Sequence, residues 1–234
     1  MQIPFLNFHT HKLDHDPKVF SITNSPCENS KPICYGLHPW FIDEDWLLKL
    51  DQIKSTIQKN TPLMIGEIGL DKLRGPTFDI QYNAMIAQLK IAVDFDLACV
   101  IHSVKSYSEC LAIRKQWKNK CRPWVFHDFN SNEQMASAII KSGCYLSLSP
   151  RMIKHYEMNP KKYSYLETLD LDFIFLETDD DLKINILDMF TWFSSLRDID
   201  IHTLNNKFWK NLELITGRNY ECILAESCRA SVTR

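Results

Sequence analysis

At 234 residues, with 45% apolar and 12% aromatic content, the chain is long enough to bury a large core as one α/β domain spanning 1–234. Its net charge of −2 excludes the broad basic footprint of a tight non-specific nucleic-acid binder, so any contact with DNA is local. The apolar runs are strand-sized and no basic, apolar, cleavable leader opens the chain, which predicts a soluble cytoplasmic protein with no membrane partner.

In chain order, Ile3 to Phe8 is a short β-like run ending on His9-Thr10-His11. The polar stretch before the next run, Val19 to Thr23, is too short for the dozen or more residues a parallel connection needs. An extended loop in place of the first crossover helix, or an irregular seam, is expected there. Trp46, Leu50, Ile53 and Ile57 keep helical spacing before Leu63 to Gly66, which runs into Glu67. Met85, Leu89, Ala92 and Val93 do the same before Leu97 to Ile101 and His102, and Trp124 to Phe126 precedes His127. Ser131 and Gln134 predict a capping box for a helix stopped by Gly143, ahead of Cys144 to Leu148. Residues 150–162 read as a basic and aromatic loop carrying Arg151, Lys154, His155, Tyr156, Lys161 and Lys162. Phe173 to Leu176 leads to Asp179; Leu204, Phe208, Leu212 and Ile215 form a last amphipathic helix ending at Gly217; weaker order is expected from Cys222 onward. This alternation predicts a TIM-type (β/α)8 barrel with a short or missing first crossover helix. Eight cysteines without a C-x-x-C pair read as reduced thiols, several of them small core hydrophobes.

His9, His11, Glu67, His102, His127 and Asp179 each sit at or just past the end of a β-like run, where a parallel barrel keeps its chemistry. Two histidines two apart on a strand point to one side. Four imidazoles and two carboxylates exceed the needs of one tetrahedral ion, so two divalent cations (Zn, Mn or Mg) sharing a bridging carboxylate are expected. Such a centre implies hydrolysis, with Glu67 and Asp179 catalytic: Glu67 fixes the metal pair, and Asp179 takes a proton from the attacking water. His38 and Trp40 are candidate substrate contacts, His38 for a phosphate and Trp40 for a base, with packing at the barrel mouth as the alternative.

Six blocks in order, His9-x-His11, Gly36-Leu37-His38-Pro39, Gly66-Glu67-Ile68-Gly69-Leu70-Asp71, Ile101-His102-Ser103, His127-x-Phe129 and Leu176-Glu177-Thr178-Asp179, resemble the TatD-type metal-dependent deoxyribonuclease family. The resemblance implies a barrel hydrolase of the amidohydrolase superfamily that cleaves phosphodiester bonds in single-stranded DNA or at 3′ ends. It implies that His9, His11 and Asp179 hold one metal, His102 and His127 the other, and that Glu67 bridges. Asn7, Val104, Asn130-Ser131 and Asp180-Asp181 depart from the family pattern. Val104 stands where the family commonly has arginine, so a phosphate contact there falls to Lys105 or Arg74. Hydrolysis of a small amide, lactone or phosphoester on the same ligands is the nearest alternative, and a degenerate non-catalytic metal-binding protein the next. No obligate protein partner is evident.

Overall fold

The computed structural model describes residues 3–12, 16–24, 34–60, 62–181 and 183–231. In chain order the elements are β1 (Phe5–Thr10), β2 (Val19–Thr23), α1 (Trp46–Asn60), β3 (Met64–Asp71), α2 (Phe78–Asp94), β4 (Ala98–Val104), α3 (Tyr107–Trp117) and β5 (Trp124–Phe126). They continue as α4 (Glu133–Lys141), β6 (Tyr145–Leu148), α5 (Pro150–Met158), α6 (Pro160–Tyr163), β7 (Ile174–Leu176), α7 (Ile186–Arg197), α8 (Ile201–Thr216) and α9 (Tyr220–Ser231). Among the described residues no helix is long and apolar enough to cross a membrane.

The chain forms two compact units. The first comprises Met1–Thr23 and His127–Leu214. Here β1 pairs with β2 in parallel, the end of β1 bridges to Asp179 just past β7, and β7 pairs with β6 in parallel. The described part of the β1–β2 connection holds no helix, as its length requires. Every residue of β1, β6 and β7 is buried, which is why these strands are mostly apolar rather than alternating, with Asn7, His9, Thr10 and Ser147 as the buried polar exceptions. Phe8 stacks on Phe175 at 4.2 Å between centroids, and α8 reaches the start of β1 through Asn205. Buried Asn205 accepts from the Leu6 N–H at 3.0 Å and donates to the Pro4 carbonyl at 3.0 Å. Asn205→Ala, which strands the Leu6 N–H while the Pro4 carbonyl keeps its 2.7 Å bond from Trp209 Nε1, is expected to cost about 1–3 kcal/mol in urea unfolding; wild-type stability would refute the clamp.

The second unit comprises Asn24–Phe126 and Ile215–Arg234. Its strands run β3-β4-β5, all parallel, with Cys34 bridging to Met64 beside β3. Leu50, Ile53 and Ile57 of α1 and Met85, Leu89 and Ala92 of α2 are buried, as their spacing predicts, whereas Val93 is exposed at the end of its helix. Cys34, Cys99 and Cys110 are buried free thiols.

Several expectations are corrected. Glu67 does not follow a strand but sits inside β3, which continues to Asp71, and the β3–β4 ladder breaks register between Ile65 and Ile68, around it. The β1–β2 ladder likewise shifts between Asn7 and Thr10, around His9. Such irregularities re-aim side chains that a regular pleat would send elsewhere. Asn132, not Ser131, caps α4, its side chain accepting from the Met135 N–H. Residues 150–162 are not a loop, because Ser149 and Asn159, each followed by proline, cap the starts of α5 and α6. α8 is not the last helix: after the turn at Gly217, α9 continues through Cys222.

Candidate metal centre

In the first unit the ligands are gathered by backbone before side chains. The Asp179 N–H donates to the His9 carbonyl at 3.1 Å, and the His11 N–H donates to the Asp179 carbonyl at 3.1 Å. Asp179 takes a left-handed φ of +50°, which turns its carboxylate back on the histidines. Asn7 acts as a two-way clamp: its amide donates to Thr178 Oγ1 at 2.9 Å while its Oδ1 accepts from the Thr178 N–H at 3.1 Å. An ionised aspartate at position 7 could only accept, so the departure from the family pattern trades a charge for a strap across the β1 and β7 ends.

Asp179 Oδ1 lies 3.8 Å from His9 Nε2 and 3.5 Å from His11 Nε2, and the His127 ring is 4.7 Å from that of His9. Two donors each about 2.1 Å from one ion at a tetrahedral angle lie about 3.4 Å apart. The separations are therefore those of neighbouring ligands rather than of hydrogen bonds. His9, His127 and Asp179 each offer an atom within 4.8 Å of the others. Behind them Glu177 is fully buried, its Oε1 accepting from the Asp128 N–H at 2.5 Å and lying 3.8 Å from His127 Nδ1. Burial pushes the Glu177 carboxyl up to about 8; His127 opposes the rise, and the Asp179 and Asp128 charges add to it. Burial also raises Asp128, against the pull of Ser149 Oγ at 2.5 Å and the Arg151 guanidinium at 2.6 Å. Three carboxyl groups, one fully and two largely buried, around two buried imidazoles are a donor set that a divalent cation fits, because its charge offsets their mutual repulsion.

Within the second unit, Glu67 gathers its own neighbours. Glu67 is buried, and its Oε2 lies 3.5 Å from His38 Nε2 and 3.6 Å from His102 Nδ1, while its Oε1 accepts from Asn24 Nδ2 at 2.8 Å. The two imidazoles play different parts. His102 Nε2 donates to Asp71 Oδ2 at 3.2 Å, so its Nδ1 carries the lone pair and faces Glu67. His38 Nδ1 accepts the Trp40 N–H at 3.1 Å, so its proton sits on Nε2, as suits a donor to substrate or carboxylate better than a ligand. His38, Glu67 and His102 are nonetheless close enough to share an ion. Burial opposes ionisation of Asp71, but hydrogen bonds from Trp40, the Leu73 N–H and His102 outweigh it and hold the carboxyl below its usual range.

The residues singled out from sequence divide between the two units. His9, His11, His127 and Asp179 cluster in the first; Glu67, His102 and His38 cluster in the second, with Trp40 edge-on to His102 at 5.5 Å and Arg74 over Trp40 at 3.8 Å. Lys105 leaves β4 exposed at φ +54° and joins neither cluster among the described contacts. Sequence reasoning missed the supporting roles of Asp71, Glu177, Asp128 and Asn24. Asp71 and Glu177 stood inside the motif blocks; Asp128 and Asn24 carried no distinguishing signal.

The model of the family described as TatD related DNase matches residues 8–215. Among curated proteins, the chain is 27% identical over 164 residues to an uncharacterized metal-dependent hydrolase, YjjV, of Escherichia coli, covering 68% of this chain and 62% of that one. It is 29% identical over 115 residues to the 3′-5′ ssDNA/RNA exonuclease TatD of Escherichia coli, covering 49% of this chain and 44% of that one. The alignments thus span less than two thirds of these relatives. Among solved structures, the Escherichia coli YjjV protein, a TatD homolog, superposes with a TM-score of 0.77 at 22% identity, covering 92% of this chain and 98% of that one. A TatD family hydrolase from Entamoeba histolytica gives 0.68 at 17%, covering 92% and 99%. These likenesses carry the fold class, an α/β TIM-type barrel.

Proposed function

Because the chain belongs to the TatD related DNase family, we propose that it is one divalent-metal-dependent hydrolase domain, 1–234, cleaving phosphodiester bonds of single-stranded DNA or RNA in the cytoplasm. The observation that carries this reading is the pinned His102, whose bond to buried Asp71 leaves Nδ1 facing Glu67 Oε2 at 3.6 Å. An imidazole held in that tautomer beside a buried carboxylate is a prepared metal ligand.

His9, His11 and Asp179 are the proposed ligands of one ion, His102 and His127 of a second, with Glu67 shared. Divalent ions held by these residues would supply positive charge for a phosphoryl oxygen and make an attacking water more acidic. The Asp179 carboxylate would receive that water's proton, the His38 Nε2–H would donate to the substrate phosphate, and Trp40, Arg74 and Lys105 would contact the strand beyond it. The second curated relative, named for an exonuclease on single-stranded DNA and RNA, supports the substrate class.

The test is elemental analysis of the purified chain paired with degradation of end-labelled single-stranded DNA in Mg or Mn. About two metals per chain with metal-dependent trimming is the expected result. Two metals with turnover of bis(4-nitrophenyl) phosphate but no trimming would shift the substrate to a small ester. Absence of metal under every loading condition would overturn the reading.

Asp71→Ala is expected to lower affinity for one ion about 10–100-fold, since His102 loses the partner that fixes its tautomer. Competition with a metallochromic chelator measures this; unchanged affinity would remove Asp71 from the site.

A further inference from the structure

We infer that Arg74, seated over the Trp40 ring, grips a phosphate of the bound single strand next to the Glu67–His102 cluster and so fills the role that Val104 leaves open. The inference rests on the nucleic-acid reading above.

Arg74 differs from the other arginines whose side chains are described. Arg114, Arg122, Arg151, Arg197 and Arg218 each give their guanidinium to a carbonyl or a carboxylate. Arg74 is exposed, and among the described residues its guanidinium meets no oxygen, only the face of Trp40, 3.8 Å from the ring centroid. The cation–π contact with the indole restrains the side chain while the exposed guanidinium, planar by its own resonance, keeps N–H donors for an oxygen, so less rotational freedom remains to be lost when a phosphate binds.

The platform is tied to the ligands. Trp40 Nε1 donates to Asp71 Oδ2 at 2.6 Å, the same oxygen that accepts from His102. Asp71 Oδ1 accepts the Leu73 N–H at 2.7 Å and the Arg74 N–H at 3.0 Å. Buried Gln81 Nε2 donates to the carbonyls of Asp71, Arg74 and Pro76. One carboxylate and one amide therefore fix both the ligand His102 and the loop that carries Arg74. The loop lines an open cavity of about 370 Å³ bordered by Lys72, Arg74, Thr77 and Gln81, with room for a phosphate and its sugar. Lys105, the other candidate, has no aromatic face beneath it among the described residues and brings only a mobile point charge.

The test is steady-state trimming of end-labelled single-stranded DNA by the 234-residue chain across a salt series. R74A is expected to raise KM about tenfold with kcat within about twofold, and to flatten the slope of log(kcat/KM) against log salt by about 0.7, the contribution of one phosphate on a single strand. R74K should keep the slope while KM still rises several-fold, because an ammonium has the charge without the fork. Lys118→Ala, which removes an exposed cation just past α3, should change neither quantity. R74A matching wild type in KM and slope, with an unchanged melting temperature, would overturn the inference alone. A wild-type chain that hydrolyses bis(4-nitrophenyl) phosphate yet neither binds nor trims oligonucleotides would overturn both it and the nucleic-acid reading.

Discussion

Glu67→Ala is expected to abolish hydrolysis, lowering turnover by at least about 10³-fold, while the metal-free protein stays folded and as stable as wild type or more so. The two effects have one cause. Glu67 is buried inside β3 with its Oε2 3.5–3.6 Å from two imidazoles, so its charge is held out of water at a desolvation cost that the proposed cation would offset. Alanine removes the desolvation cost together with the ligand. The Asn24 amide at 2.8 Å is the hydrogen bond lost in exchange, and part of its cost is recovered if water reaches it. Thermal melts of chelator-treated protein, metal content by elemental analysis and trimming of labelled DNA together decide the matter. If Glu67 is shared by both ions, both are depleted; loss of one alone would deny the sharing, and full metal content with full activity would deny the site.

Gly69→Ala acts on the scaffold instead and is expected to cost about 3–5 kcal/mol or to prevent folding. Gly69 has φ +149°, and a Cβ there would lie 2.0 Å from the His102 carbonyl oxygen and 2.9 Å from its carbon. The obstructing atoms belong to the backbone of β4, which is paired with Gly69 in register, so neither strand can yield without breaking the ladder. The damage falls on a proposed ligand, and any folded Gly69→Ala protein should bind metal through the Glu67 cluster poorly. Gly217→Ala provides the contrast. Its Cβ would meet the Arg122 guanidinium at 2.6 Å, the far end of a flexible side chain, and at φ +68° the cost should stay near 1 kcal/mol. Equal denaturation midpoints for the two variants would contradict this account.

Much of the fold was legible because parallel strands buried on both faces are continuous apolar runs, and helices covering them repeat every three or four residues. The runs ending at Phe8, Ile101, Phe126 and Leu176 all lie in or beside strands, and the helices at 46–60 and 78–94 follow their spacing. What local pattern could not place was where an element continues. β3 runs on through Glu67 to Asp71 because its partner β4 supplies backbone groups to pair with, and residues 150–162 wind into α5 and α6 although charged and aromatic side chains made them look like a loop. Position 7 shows the same limit. Asparagine there read as a lost charge, yet it is a bond in each direction to Thr178, 171 residues away.

By itself the sequence determined which donors the chain owns and in what order: His9, His11, Glu67, His102, His127 and Asp179, delivered by successive strands of a parallel α/β chain. Only the tertiary structure decided what each nitrogen can do. His38 and His102 are the same residue type facing the same oxygen of Glu67, but one has its lone pair occupied by the Trp40 N–H and the other has its proton held by Asp71. A tautomer is set by whatever meets the ring's other nitrogen. For His102 that partner lies 31 residues back along the chain, on the neighbouring strand.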